Sequence, residues 1–169
     1  MASEYTSVPR PAGAVSPPAR ARKIVAVSFT AAGAESAQGW LQLSGPGTPQ
    51  RHIRAHRADG STLANLGDVV QGSKIGVHLV FSGPQTDIYA ARAQALRNGA
   101  IDAEITLLQT CMTEANVYCA HCKQTTTTQN DVGATAVCSG CARELVIYHH
   151  FSRRTASYLG FMANAEETK

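Results

Sequence analysis

The chain has 169 residues, of which 44% are hydrophobic and 16% charged; it can hold one domain or two small ones and build a core, which excludes wholesale disorder. No apolar run approaches the roughly 20 residues a bilayer requires, and the N-terminus lacks the apolar stretch of a signal peptide, so a soluble, cytoplasmic protein is expected. The formal charge of +3 resides in the leading segment, where Arg10, Arg20, Arg22 and Lys23 face only Glu4; residues 24–169 are balanced, which leaves no global footprint for phosphates and argues against nucleic acid.

Residues 1–22 are rich in Pro, Ala, Ser and Arg, hold four of the seven prolines and show no apolar period. They read as an extended arm that solubilises or docks on a partner subunit. Residues 24–30 (IVAVSFT) are a short β-branched and aromatic run that predicts a buried strand. Trp40–Leu43 predicts a second strand before the turn cluster SGPGTP. Ser61 is placed to cap a helix with Leu63, Leu66, Val69 and Val70 on one face, ending near Gly72. Ile75–Phe81 (IGVHLVF) predicts a strand, SGPQ a sharp loop, Thr86–Asn98 an alanine-rich helix stopped by Asn98-Gly99, and Ile101–Leu108 a further strand. Strand, helix, strand in so short a space implies a parallel pair with a right-handed crossover.

The cysteines are Cys111, Cys119, Cys122, Cys138 and Cys141. Without a secretion signal, disulfides explain them poorly. The spacing Cys119-x2-Cys122-x15-Cys138-x2-Cys141 fits a metal site: each Cys-x-x-Cys forms a tight turn, and two turns brought together by a β-hairpin place four thiolates tetrahedrally. Asp131-Val132-Gly133 is the expected turn of that hairpin, and LVIYHHF a third strand. Zinc is the structural default for a closed four-sulfur shell, and iron fits the same geometry as an electron carrier. Lys123 and Arg143 stand beside the hooks, where they can offset the charge of four thiolates around a divalent ion. They also show a departure from rubredoxin hooks, since Lys123 and Ala142 stand where a glycine often follows.

The other candidates read as structural. Cys111 is a lone thiol at a strand end and fits a core. His121 is expected at the surface. His52 and His56 have the i, i+4 spacing of a helical metal pair, but RHIRAHR supplies neither a third ligand nor a glutamate, so a solvated basic stretch is the reading. His149 and His150, adjacent on a strand, are expected on opposite faces. Phe151, Tyr158, Leu159, Phe161 and Met162, interrupted by Arg153 and Arg154, have the composition of an interface core, or else complete the core of the ribbon. No catalytic residue and no cofactor-binding residue is assigned.

Two resemblances follow from these residues. VHLVFSGPQTDIYAARAQALRNGAIDAEI (residues 77–105) resembles the nicotinamide-binding lobe of ferredoxin-reductase-type flavoenzymes, in which a strand ends in Cys-Gly-Pro and a helix and an arginine follow. Ser82 occupies the cysteine position here, followed by Gly83, Pro84 and Arg92. No flavin lobe and no glycine-rich dinucleotide fingerprint accompany it, so the resemblance implies a scaffold. YCAHC, VCSGC, HHFSRR and YLGFMANAE, downstream of a short α/β domain, resemble the small accessory subunit of dimethylamine monooxygenase, a bacterial multicomponent oxidative N-demethylase.

That second resemblance implies an NADPH- and O2-dependent oxidoreductase complex that converts dimethylamine to methylamine and formaldehyde. Haem would reside in a larger oxygenase subunit, with flavin and an iron–sulfur cluster in a reductase subunit. The chain would be a subunit of this hetero-oligomer and not catalytic alone. The expected organisation is an extended Pro/Ala/Arg-rich arm (1–22), an α/β Rossmann-like domain (23–112), a four-cysteine zinc-ribbon or rubredoxin-like β module (113–150) and a C-terminal interface segment (151–169). A rubredoxin-like electron-transfer module with iron, and a nucleic-acid-binding zinc ribbon, are the alternatives.

Overall fold

The computed structural model describes residues 7–9 and 15–164. The chain divides into two compact units, Pro11–Met112 and a second that joins Thr113–Lys169 with Met1–Arg10. The rest of the arm lies outside the described residues. Among those described, no helix is long and apolar enough to cross a membrane.

The first unit is a mixed α/β layer. Its elements are β1 (Lys23–Phe29), α1 (Thr30–Gln42), β2 (Gln50–Ala55), α2 (Gly60–Gln71), β3 (Val77–Pro84), α3 (Gln85–Arg97), a short 3-10 turn (Asp102–Glu104) and β4 (Ile105–Cys111). The four strands form one parallel sheet in the order β2-β1-β3-β4. Ile24, Ala26 and Val80 pack with Ala37, Trp40 and Leu41 of α1. Val25 and Val27 point to the other face and are equally buried. Burial on both faces is why β1 reads as a continuous apolar run.

Several boundaries differ from those expected. Trp40 and Leu41 lie in α1, where Gly33, Ala37, Trp40 and Leu41 form its buried stripe; the i, i+4, i+7, i+8 spacing belongs to a helix, and the local run WLQL conceals it. Asp59, not Ser61, caps α2: its Oδ1 accepts from the Thr62 amide and the Ser61 hydroxyl, both at 2.8 Å. RHIRAHR is largely strand β2, at the open edge of the sheet. An exposed edge strand has no apolar alternation to betray it. Ile75 is 93% exposed, and β3 runs instead from Val77 through Ser82 and Gly83 to Pro84, with α3 starting at the next residue. The expected loop SGPQ is thus a strand end that shifts register between Gly83 and Pro84. Gly83 has φ of 148°, and a Cβ there would lie 2.8 Å from the Phe29 carbonyl. Gly99, with φ of 98°, ends α3 as expected.

The second unit is a five-stranded sheet of β5 (Ala115–Cys119), β6 (Thr125–Thr128), β7 (Thr135–Val137), β8 (Glu144–Ser152) and β9 (Ser157–Met162), in the order β6-β5-β9-β8-β7. The expected hairpin between the two hooks is absent. The four-threonine run pairs antiparallel with β5, and β7 pairs antiparallel with β8, so β6 and β7 lie on opposite edges. Each hook is instead the turn of its own hairpin. β9 lies between the hairpins, parallel to β5 and antiparallel to β8.

The C-terminal aromatic segment therefore divides by strand alternation. Tyr158 is 4% exposed and meets Phe151 edge-on, with ring centroids 5.0 Å apart. Leu159 and Phe161 point outward, 36% and 39% exposed. β8 carries two extra residues between Ile147 and Phe151, which pair with Gly160 and Tyr158. This bulge breaks the expected alternation of His149 and His150, whose rings lie 5.7 Å apart. Ser7 of the arm donates to the His149 carbonyl at 2.9 Å, and Pro9 is buried.

Gly160 is where β9 becomes close-packed. A Cβ there would sit 2.6 Å from Val117 Cγ1 and 3.0 Å from Leu145 Cδ1, one neighbour from each hairpin. Gly160→Ala is expected to destabilise this unit by about 1–3 kcal/mol through overpacking. Gly39→Ala, at an exposed helical site with no atom within 4 Å, is expected to stabilise the protein by about 0.5–1 kcal/mol. Denaturant unfolding, followed for each unit separately by proteolysis, checks both signs.

Candidate metal centre

Cys119 ends β5 and Cys138 follows β7, so the first cysteine of each hook leaves a strand and the second lies in the turn. The two turns repeat one hydrogen-bond pattern. The Lys123 amide donates to the Cys119 carbonyl at 3.0 Å, and the Cys119 amide to the Gln124 carbonyl at 2.9 Å. In the second hook Ala142 donates to Cys138 at 2.9 Å, and Cys138 to Arg143 at 2.8 Å. Closing a turn this tightly puts the residue after each hook in the left-handed region, with φ of 67° at Lys123 and 56° at Ala142. A side chain there costs about 1–2 kcal/mol. These are the positions at which the sequence lacks the usual glycine.

The turns bring the four Sγ atoms within 4.8 Å of one another. Cys119 and Cys141 are 3.9 Å apart, and Cys122 and Cys138 are 3.5 Å apart. Four sulfurs about 2.3 Å from a tetrahedral ion would be separated by about 3.8 Å, so the set fits such an ion. Cys119 and Cys138 are closed to solvent, whereas Cys122 and Cys141 are half-buried.

The local electrostatics also suit thiolates. The Cys122 amide, followed by that of His121, lowers the Cys119 thiol pKa. The amides of Cys141 and Gly140 bring Cys138 down to about 6. At Cys122 the Gln124 amide pulls downward, but burial and the three neighbouring sulfurs overcome it and push the thiol up to about 12.

The expected neighbours are only partly engaged. Lys123 Nζ donates to the Ala120 carbonyl at 2.6 Å and lies 6.0 Å from the Tyr118 ring centroid. Arg143 supplies a carbonyl to Cys138, while its Nη1 is buried without a hydrogen-bond partner. His121 is exposed. Cys111 ends β4 in the other unit. His52 hydrogen-bonds Ser28 at 2.8 Å and sits within β2, with exposed His56 beyond the strand end, so the pair has no helical face.

The segment likened to a nicotinamide lobe holds Arg92 on Asp102, at 2.9 and 2.7 Å. Ser82 Oγ, Gln85 Nε2, Thr86 Oγ1 and Asp87 Oδ2 are buried there without hydrogen-bond partners. Sequence reasoning missed β9 as the strand that joins the hairpins. Its signal was SYLGFM, in which Tyr158 and Gly160 alternate with Leu159 and Phe161.

The C-terminal unit is thus a small β-sheet module whose four cysteines are positioned to bind a metal ion. Residues 116–161 match the family of dimethylamine monooxygenase subunit DmmA-like proteins, over its C-terminal domain. The match spans both hooks, β6 to β8 and nearly all of β5 and β9, and bears out the resemblance seen in YCAHC, VCSGC, HHFSRR and YLGFMANAE. No curated protein and no solved structure matches the chain.

Metal binding contributes roughly 10 kcal/mol or more to the folding of small zinc modules. Cys138→Ser is therefore expected to cost the C-terminal unit its metal and its protease resistance, while residues 15–112 stay protected. Limited proteolysis with mass spectrometry, beside elemental analysis, checks both halves.

Proposed function

We propose that this chain is the small accessory subunit of a multicomponent dimethylamine monooxygenase, with Cys119, Cys122, Cys138 and Cys141 holding a structural zinc ion. The observation that carries this reading is a four-thiol shell inside a DmmA-like domain. Oxygen activation needs a metal with an open coordination position, and four sulfurs leave none. The NADPH- and O2-dependent N-demethylation is therefore assigned to partners: a larger haem-containing oxygenase subunit and a flavin and iron–sulfur reductase subunit.

In this reading the first unit is a Rossmann-like scaffold. Its strand order reverses between β1 and β3, as in doubly wound sheets. A Cβ on Gly33 would lie 2.6 Å from the Ser82 carbonyl, so α1 is pressed against the end of β3 at the place where such sheets hold a ligand. The assembly surface of the C-terminal segment is the outer side of β9. Leu159 and Phe161 are exposed there, and Tyr148 meets Phe161 edge-on at 5.6 Å. Tyr158 belongs to the core and not to that surface.

Two measurements test the proposal. The natively purified protein is expected to travel with a haem protein and a flavoprotein, colourless in its own right and carrying one zinc per chain. A ferric tetrathiolate absorbs visible light strongly, so that absorption with stoichiometric iron would replace the structural role by electron relay. Phe161→Ser is expected to leave the midpoint of thermal unfolding nearly unchanged and to reduce co-purification of the larger subunits. An unaltered assembly removes β9 as the contact surface.

A further inference from the structure

We propose that Gly140 is a positioning residue of the four-sulfur site: the absence of a side chain there lets the second hook close onto Cys122. This rests on the metal-binding reading and adds to it a determinant that is not a ligand. Gly140 is not among the glycines with positive φ, so its backbone needs no conformational freedom that other residues lack. What it needs is room. A Cβ at this position would lie 2.8 Å from Gln124 Cβ, 3.1 Å from Gln124 Cγ and 3.1 Å from Cys122 Sγ. All three are closer than non-bonded carbons and sulfurs pack.

Neither Gln124 Cβ, the closest of the crowded atoms, nor Cys122 Sγ can yield without disturbing the sulfur site. Gln124 Cβ is fixed to a backbone whose carbonyl accepts from Cys119 at 2.9 Å and whose amide bonds to the Cys122 sulfur. On the other side, the Gly140 amide donates to Cys138 Sγ at 3.4 Å. A methyl group at 140 therefore drives apart Cys122 and Cys138, the 3.5 Å pair, and opens one edge of the tetrahedron. The first hook has no such constraint: His121, in the equivalent place, is exposed. The two hooks share their hydrogen bonds but not their crowding, and only the second requires a glycine inside the hook.

Cobalt(II) titration of the metal-free full-length protein tests this, because thiolate-bound tetrahedral cobalt has an intense visible spectrum that reports the ligand shell directly. Gly140→Ala is expected to weaken cobalt binding about 10- to 100-fold, the range typical of groups that orient ligands, and to lower the intensity of its d–d bands. Adding Gln124→Gly to that variant removes two of the three crowded atoms, the 2.8 Å contact among them, and is expected to restore affinity and spectrum in part. Wild-type binding with an unchanged Gly140→Ala titration overturns the proposal. So does a Gly140→Ala defect, including failure to fold, that Gln124→Gly does not relieve. A wild-type protein that takes up no cobalt at its cysteines defeats the metal reading itself, which is a separate result.

Discussion

Four sulfurs from two turns must reach one point, and the strand that makes them do so is β9. A Cys-x-x-Cys turn fixes the separation of its own pair but says nothing about where the other pair lies. Here each hook caps a hairpin. The hairpins are held at a set distance because β9 lies between them, bonded to β5 on one side and β8 on the other. The Gly160 carbonyl of β9 also accepts from Ala120 in the first hook, at 3.0 Å. The metal centre and the sheet are therefore one constraint seen from two ends: the ladder aligns the turns, and an ion at the turns would clamp the ladder.

This explains why the C-terminal segment is rich in aromatics without being an appendage. A strand inserted between two hairpins must present an inner side that fits both and an outer side that faces neither. Tyr158 and Gly160 serve the inner side, one by filling space and the other by leaving it. Leu159 and Phe161 fall on the outer side by alternation alone. Apolar residues on both sides of one strand look like surplus in the sequence, and the sheet accounts for only half of them.

Legibility followed the locality of each signal. The four cysteines were readable because spacing within a hook is set by bond geometry within four residues. The likeness to the DmmA-like C-terminal domain was readable because its marks cluster around those hooks. β1, α3 and the ends of α2 and α3 were readable from runs and stops that need no partner. The pairing of β6 with β5, and of β7 with β8, was not, because a hairpin joining the hooks and a hairpin ending in each hook place the same residues at the same spacing. The choice depends on β9, twenty residues downstream of β7 and on no local pattern. β2 escaped for a different reason: an edge strand bearing Arg51, His52 and Arg54 reads as solvated basic chain, which in part it is. Trp40 was assigned to a strand since four residues are too few to separate a period of 2 from one of 3.6.

The convergence of the four sulfurs also defines the kind of site this unit offers. Four thiol sulfurs within 4.8 Å of one another form a place that suits a cation. It is also a poor place to do chemistry, because all four donors are committed to one point and two are closed to solvent. Amides donated to the first sulfur of each hook hold that arrangement in advance of any ion, so little of the binding free energy is lost to ordering the turns. A module organised in this way would gain rigidity from an ion held at its turns. Catalysis would need the reverse: a ligand position left open and a cavity beside it. The two requirements compete for the same few residues, and at this site all four cysteines converge on one point.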